Sequence, residues 1–141
     1  MRYLVGLLLS VAMLFSAPGV KIIPQMIERD LISDESIGAN DTLYVATIDA
    51  QSATHLDVCI AATATEATPL SIILRAYEPG FSKASDTCLM YDEMRITLES
   101  GNNFICNNMF YLVPFNKYKL YLWNESGTNE LIKVGVRIRR W

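Results

Sequence analysis

The feature that most constrains the fold of this chain is an alternation of apolar and polar residues that recurs in short segments. In residues 55–61, for example, Leu56, Val58 and Ile60 occupy every second position. A period of two is typical of a β-strand with one buried face. Similar segments, some of them continuously apolar, occur at residues 42–49, 70–77, 94–98, 109–113, 117–123 and 130–139. Turn-forming residues separate these segments, which predicts an all-β fold, a two-sheet antiparallel β-sandwich of the jelly-roll kind.

Length and composition place the chain among single-domain globular proteins. With 141 residues and 51% hydrophobic side chains, it has enough apolar material for one core. Its aromatic and β-branched residues exclude a disordered chain of low complexity. The formal net charge of −3 disfavours nucleic acid as a partner, because polyanions attract basic surfaces.

The first residues have the pattern of a secretory signal peptide. Arg2 precedes an apolar run at residues 3–15, and small residues follow at 16–19. A membrane-spanning helix needs about 20 apolar residues, so the run is short for an uncleaved anchor, which is the rival interpretation. We predict cleavage after Gly19 and a secreted, extracellular product without a membrane span. Cleavage removes Arg2 and changes the formal net charge from −3 to −4.

The chain is expected to have three parts, a signal peptide at residues 1–19, an N-terminal arm at 20–40 and the β-sandwich domain at 41–141. The arm combines apolar residues with acidic clusters and has no clear period. It therefore predicts at most one short strand or helical turn, packed onto the domain.

An exported protein meets an oxidising compartment, so disulfide formation is expected. The chain has three cysteines, Cys59, Cys88 and Cys106, and the odd number leaves one unpaired. Cys88 and Cys106 bracket the predicted strand at residues 94–98, which favours a disulfide between these two. Cys59 is then a free thiol or a bridge to another chain.

Two segments match the acceptor pattern for N-glycosylation. Asn40 begins the sequence NDT, and Asn124 begins NES. Both lie at predicted turns in a chain with a secretory leader. This context favours a glycoprotein if the source is eukaryotic.

The cysteine spacing is similar to that of the CUB module, an extracellular β-sandwich that contacts proteins and glycans. Cys59, the segment CLMYD at residues 88–92 and Cys106 resemble the second, third and fourth cysteines of that family. Residues 119–126 and the final strand fall where the last strands of the module lie. The resemblance covers about residues 40–141.

The same resemblance implies a calcium site, because a hard cation prefers several oxygen ligands. Glu78 and Asp92 stand at the positions that match the calcium ligands of the family, and Asn124 or Glu125 is the candidate for a third. The alternative is an acidic, solvated loop. Calcium is the one cofactor that the sequence suggests.

Catalysis is not expected. His55 is the only histidine, so any Ser-His or Cys-His system must use it. Asp57 lies on the same strand face and is able to orient the ring, but a histidine in an alternating strand is more often solvated or structural. No group of His and Cys residues has the spacing of a zinc site.

The strand at residues 117–123 has a second face that is unusually apolar for contact with water alone. Lys119, Tyr121 and Trp123 share this face. Aromatic side chains in such a position are typical of surfaces that contact proteins or sugars. The alternative is that the arm, through residues 22–32, covers the face.

These observations favour a secreted, non-enzymatic module that recognises an extracellular protein or glycan. A structural or assembly subunit of an extracellular complex is the alternative, with Cys59 as the disulfide link of a homodimer. A secreted hydrolase that uses carboxylates is a third hypothesis, which an activity screen with Asp92→Ala as control tests.

Overall fold

The computed structural model describes residues 27–50, 53–77, 90–112 and 117–141. Eight strands follow one another along the chain. Their bounds are β1 Ile27–Ile37, β2 Thr42–Asp49, β3 His55–Ala64, β4 Thr68–Tyr77, β5 Met90–Leu98, β6 Gly101–Tyr111, β7 Lys117–Asn124 and β8 Leu131–Arg140. Within the described ranges there is no helix long and apolar enough to span a bilayer. The predicted signal peptide lies outside the described residues.

The strands form two antiparallel sheets of four strands each. Sheet A has the order β1-β8-β3-β6, and sheet B has the order β2-β7-β4-β5. Strands that are consecutive in sequence lie in different sheets, except for β4 and β5, which pair directly. This connectivity is that of an eight-stranded jelly roll. The predicted all-β, two-sheet sandwich is confirmed.

The hydrophobic core lies between the two sheets and follows the alternation in the sequence. Along β7, buried and half-buried residues alternate without interruption. The inward positions are filled by aliphatic and aromatic side chains that interdigitate across the sandwich. The largest fully buried side chains are Tyr118, Phe110, Ile37, Leu56, Ile60, Leu70, Ile72, Leu74, Leu98, Leu120, Leu122 and Leu131.

The predicted arm at residues 20–40 is, in its described part, a strand of the sandwich. β1 runs for 11 residues and pairs with β8 along sheet A. The register of this pairing shifts three times, between Asp30 and Ile32, between Ile32 and Glu35 and between Glu35 and Ile37. These shifts break the alternation in the sequence. The sandwich therefore includes β1, which lies before the predicted boundary at residue 41.

Strand β6 is longer than the sequence predicts. Asn102, Asn103 and Asn107 suggest turns, but all three lie inside β6. The Asn103 side chain closes the turn that connects β5 to β6, since its Oδ1 accepts from the Glu99 backbone N–H at 2.9 Å and its Nδ2 donates to the Glu99 carbonyl at 2.8 Å. A β-bulge accommodates Asn107 opposite β3.

Strand β8 also contains an irregularity that changes which residues face the core. Lys133 has a φ of 52°, in the left-handed region of backbone conformation. The register against β3 shifts next to this residue. As a result Leu131 is buried, whereas Ile132, which the alternation places inward, is 42% exposed. The alternation also places Val134, Val136 and Ile138 inward, and these three side chains are buried.

One disulfide joins the neighbouring strands β3 and β6 of sheet A. It links Cys59 to Cys106, whose Cα atoms are 4.1 Å apart. The predicted pairing of Cys88 with Cys106 is therefore wrong, and so is the prediction of an unpaired Cys59. Residue 106 lies between the predicted strand segments 94–98 and 109–113, but β6 extends through it and brings Cys106 opposite Cys59. Cys88 lies outside the described residues.

Candidate functional site

The outward face of sheet B carries the aromatic residues that the sequence predicts to form a contact surface. On β7, Lys119, Tyr121 and Trp123 are half-buried and point away from the core, while Tyr118, Leu120 and Leu122 fill it. Because β7 is a central strand, its outward residues lie between those of β2 and β4. The structure thus brings the three predicted contact residues onto one outward surface.

Two neighbours on the adjacent strands complete this surface. Tyr44 on β2 lies opposite Tyr121, and their ring centroids are 5.5 Å apart at a tilt of 58°. On the other side, the guanidinium carbon of Arg75 on β4 lies 5.2 Å from the centre of the Tyr121 ring, which is the distance of a cation–π contact. We refer to Tyr44, Arg75, Lys119, Tyr121 and Trp123 as the aromatic face.

The tyrosine rings of the aromatic face are held in place by these contacts. The Tyr44 hydroxyl lies 2.7 Å from the Thr47 hydroxyl, which fixes the outer ring although it is 50% exposed. Tyr121 is packed between the Tyr44 ring and the Arg75 guanidinium. A ligand that contacts these rings therefore meets a surface whose rotamers are already restricted, which lowers the entropic cost of binding.

A polar cluster borders the aromatic face beside Trp123. Ser71 is fully buried and lies opposite Trp123 on one side and Arg95 on the other. Its hydroxyl lies 2.6 Å from Glu93 Oε1 and 2.5 Å from Glu125 Oε1. The Arg95 Nε is 3.0 Å from Glu125 Oε1 and 3.5 Å from Glu93 Oε1, so the guanidinium offsets the charge of the two carboxylates.

The described part of the predicted arm does not cover the aromatic face. β1 pairs with β8 at the edge of sheet A, on the opposite side of the sandwich from the outward residues of β7. The alternative in which residues 22–32 cover Tyr121 and Trp123 is thus wrong for residues 27–32. The first part of that segment lies outside the described residues.

The two predicted glycosylation sites have opposite environments. Asn40 is exposed in the turn between β1 and β2 and has a φ of 57°. Its backbone N–H donates to the Ser126 carbonyl at 2.7 Å, which leaves the side chain on the surface. Asn40 stays a predicted acceptor.

Asn124, in contrast, is fully buried at the end of β7. Its Nδ2 donates to the carbonyls of Asn129 at 2.6 Å and Gly38 at 3.0 Å, and Ile37 O lies 3.4 Å away. Its Oδ1 accepts from the Ser126 N–H at 3.1 Å. A glycan on Nδ2 is incompatible with this packing, so the prediction for Asn124 is contradicted by the structure.

The predicted calcium ligands are not brought together in the described part of the chain. Asp92 is exposed on β5, paired in register with Leu74, rather than in a loop. Glu78 lies outside the described residues. Within the described ranges, no group of three or more His, Cys, Asp or Glu side chains has the arrangement of a metal site.

His55 is held by contacts of a structural kind. Its Nδ1 lies 2.7 Å from the Thr54 hydroxyl, and its ring stacks on Trp141 with centroids 6.1 Å apart and an interplanar angle of 13°. Tyr111 lies on another side, at 5.0 Å. Asp57 is buried, and its Oδ1 has no hydrogen-bond partner among the described residues.

The outward face of sheet A carries a surface that the sequence did not indicate. The small residues Ala61 and Gly135 form the floor of a shallow groove of about 310 Å³, and Ile32 and Phe104 stand at its sides. The periodicity of the sequence marks Ala61 and Gly135 as strand positions, but it does not show that small residues from two strands are adjacent. Only the register of β3 against β8 shows this.

An ion-pair network lies beside this groove. Arg137 donates from Nε to Asp30 Oδ1 at 2.6 Å and from Nη1 to Glu28 Oε1 at 3.1 Å. The hydrogen bond to Asp30 and the charges of Asp30 and Glu28 raise the pKa of Arg137 above its ordinary value. The network is exposed to solvent, so dissolved salt screens the attraction between its charges. It therefore stabilises the pairing of the edge strand β1 with β8 only modestly.

Comparisons with known proteins support the fold and no family. No protein-family model matches the chain, and no curated protein matches it. Among solved structures, one of infectious bursal disease virus, Gx strain, is similar with a TM-score of 0.52 and 12% identity. The match covers 86% of this chain and 36% of the other, so the chain spans about a third of the length of the viral protein.

Proposed function

We propose that this protein is a secreted, non-enzymatic module that binds an extracellular protein or glycan through the aromatic face. The observation that carries the proposal is the cluster of Tyr44, Tyr121 and Arg75 on the outward side of sheet B. Aromatic rings and guanidinium groups are enriched where proteins recognise ligands, because they offer large contact areas and polar edges.

The position of these residues supports a role in binding. The core of the sandwich needs only the inward positions of β7, which Tyr118, Leu120 and Leu122 already fill. The outward aromatic residues are therefore not required for the core. Lys119 adds a positive charge to the same strand face, which favours a ligand with acidic or hydrogen-bond-accepting groups.

The cysteine bond supports the predicted export of the chain. A disulfide between Cys59 and Cys106 is expected in an oxidising compartment and is rare in the cytosol. The predicted signal peptide at residues 1–19 provides the route. The exposed Asn40 fits a protein that is glycosylated on that route.

The fold is compatible with both a binding module and an assembly subunit. Jelly rolls occur in viral shells and in lectins, and the same architecture serves unrelated functions. The similarity to a virus structure favours an assembly subunit as the second candidate. The proposed link through Cys59 is excluded from that candidate, because Cys59 is bonded within the chain.

Two more specific hypotheses from the sequence, a CUB-like module and a calcium site, stay secondary proposals. The first is the resemblance to the CUB module, in which Cys59 and Cys106 match the second and fourth cysteines, and in this chain these two cysteines are bonded to each other. A calcium site that includes Asp92 is tested by the melting temperature, which millimolar calcium then raises and a chelator lowers. An unchanged melting temperature contradicts it.

The binding proposal is tested with the secreted protein on a printed glycan array and on a display library of extracellular domains. We expect Tyr121→Ala to weaken binding to the strongest hit by about tenfold or more, as for a central aromatic contact. Tyr111→Ala is the matched control, since Tyr111 is an exposed tyrosine on the other sheet. Circular dichroism verifies that both variants are folded. Equal binding by the two variants, or no hit on either platform, contradicts the proposal.

A further inference from the structure

The described structure has four edge strands, and one of them differs from the others in its charge. The edges are β1 and β6 in sheet A and β2 and β5 in sheet B. β1, β2 and β5 all contain charged residues, namely Glu28, Arg29, Asp30, Asp34, Glu35, Asp49, Asp92, Glu93 and Arg95. β6 has the sequence GNNFICNNMFY and contains neither a charge nor a proline.

An edge strand that has neither charged residues nor proline is unusual, because it presents unpaired backbone N–H and C=O groups to any other strand. Soluble proteins normally protect long edges with charges, prolines or bulges. β6 is 11 residues long and has only a bulge, opposite Cys59. No described strand pairs with its outer side.

The side chains of β6 add an apolar surface to this open edge. Phe104 is 68% exposed, Met109 is 40% exposed and Tyr111 is 72% exposed. The exposed large hydrophobic residues outside β6 in the described part are Tyr44 and Ile132. A strand that pairs with β6 covers backbone groups and apolar side chains at once, as in other cases of strand addition.

We propose that β6 pairs with β6 of a second copy of this chain, so that two copies of sheet A form one continuous sheet. A second copy fits because the uncharged strand meets its own sequence without placing like charges opposite one another, which would be destabilising. Two four-stranded sheets give eight strands, which is within the usual limit of about ten for an open, twisted sheet.

The disulfide supports the use of β6 as a docking strand. Cys106 is bonded to Cys59 on the neighbouring strand, so β6 is attached covalently to the rest of sheet A. An edge that is fixed before association loses less conformational freedom when it pairs. The proposal is independent of the aromatic face, which lies on sheet B.

Sedimentation velocity of the full secreted chain over a concentration series tests the proposal, with Cys88→Ala present throughout so that no third thiol contributes. We expect a reversible dimer. Phe104→Lys and Tyr111→Lys, made singly, each place a charge in the apolar surface of β6, and a lysine near the two-fold axis lies close to its own copy. At least one of them should weaken dimerisation by about tenfold or more. Whichever substitution acts identifies the half of β6, before or after the bulge, that forms the pair.

Tyr44→Lys is the matched control, because Tyr44 is a similarly exposed aromatic residue on an edge strand of sheet B. It should leave the dimer unchanged. The proposal is overturned if the protein is monomeric up to millimolar concentration, or if neither β6 variant weakens the dimer. Thermal unfolding of each variant verifies that the monomer is folded.

Discussion

The side-chain nitrogen of Asn124 donates a hydrogen bond of 2.6 Å to the carbonyl oxygen of Asn129, from a position that is fully buried. The same nitrogen also reaches the carbonyl of Gly38, in the turn between β1 and β2. One amide thus ties together two connections, the β1–β2 turn and the β7–β8 turn. It has a structural role that its place in a glycosylation motif does not reveal.

Asn124→Ala should lower the free energy of unfolding by about 3 kcal/mol, because it leaves two part-buried carbonyl groups and the buried Ser126 N–H without their partner. Urea denaturation followed by circular dichroism measures the change. Asn102→Ala is the control, since Asn102 is exposed and its side chain accepts a single hydrogen bond from Thr63 at 2.7 Å. A loss as small as that of the control contradicts the role assigned to Asn124.

If the chain is secreted from eukaryotic cells, we expect a glycan on Asn40 and none on Asn124. Thr42→Ala removes the first motif without changing Asn40 itself and should abolish the mass of the glycan. Ser126→Ala removes the second motif and should leave that mass unchanged. Mass spectrometry of the secreted protein before and after glycosidase treatment gives the result, and a glycopeptide that contains Asn124 would contradict it.

Loss of the disulfide should destabilise the domain by about 4 kcal/mol, the value that chain entropy gives for a closed loop of this length. The two cysteines are 47 residues apart in sequence. Cys106→Ser tests the loss through denaturant unfolding, and Cys88→Ser is the control. A non-reducing peptide map should show Cys59 joined to Cys106, and a peptide that joins Cys88 to Cys106 would refute the pairing.

Two glycines should respond in opposite ways to replacement by alanine. A Cβ on Gly135 would lie 3.6 Å from the Ile32 carbonyl oxygen and 3.9 Å from the Ala61 Cβ, which are ordinary contacts. Gly135→Ala should therefore raise the free energy of unfolding by about 0.5 kcal/mol through the unfolded state. Gly101 has a φ of 102°, so Gly101→Ala should lower it by about 1 kcal/mol. Thermal unfolding of both variants measures the two changes in stability, and equal shifts in melting temperature would contradict this prediction.

The parts of the fold that the sequence predicts are those set by local alternation. β2 has the predicted bounds, Thr42–Asp49, and the outward position of Lys119, Tyr121 and Trp123 follows directly from the period of β7. A half-buried strand carries its orientation in its own residues. The aromatic character of this surface is therefore evident in the residues of β7 themselves.

The parts that the sequence does not predict depend on irregular or distant pairing. The irregularity at Lys133 reverses the facing of Ile132, and the bulge in β6 carries asparagines that resemble turn residues. The partner of Cys59 is set by the register of β3 against β6, strands far apart in the sequence. Likewise, no local signal shows that Tyr44 and Arg75 flank Tyr121, since they come from β2 and β4.

The bond between Cys59 and Cys106 has a consequence for how the domain carries mechanical load. Hydrogen bonds between β6 and β3 break one after another when an outer strand is peeled away, whereas a covalent crosslink transmits the pull directly to the inner strand. A tension applied at β6 therefore passes through β3 into β8, to which β3 is paired. In the oxidised protein, peeling stops at residue 106, and under reducing conditions the whole strand can detach.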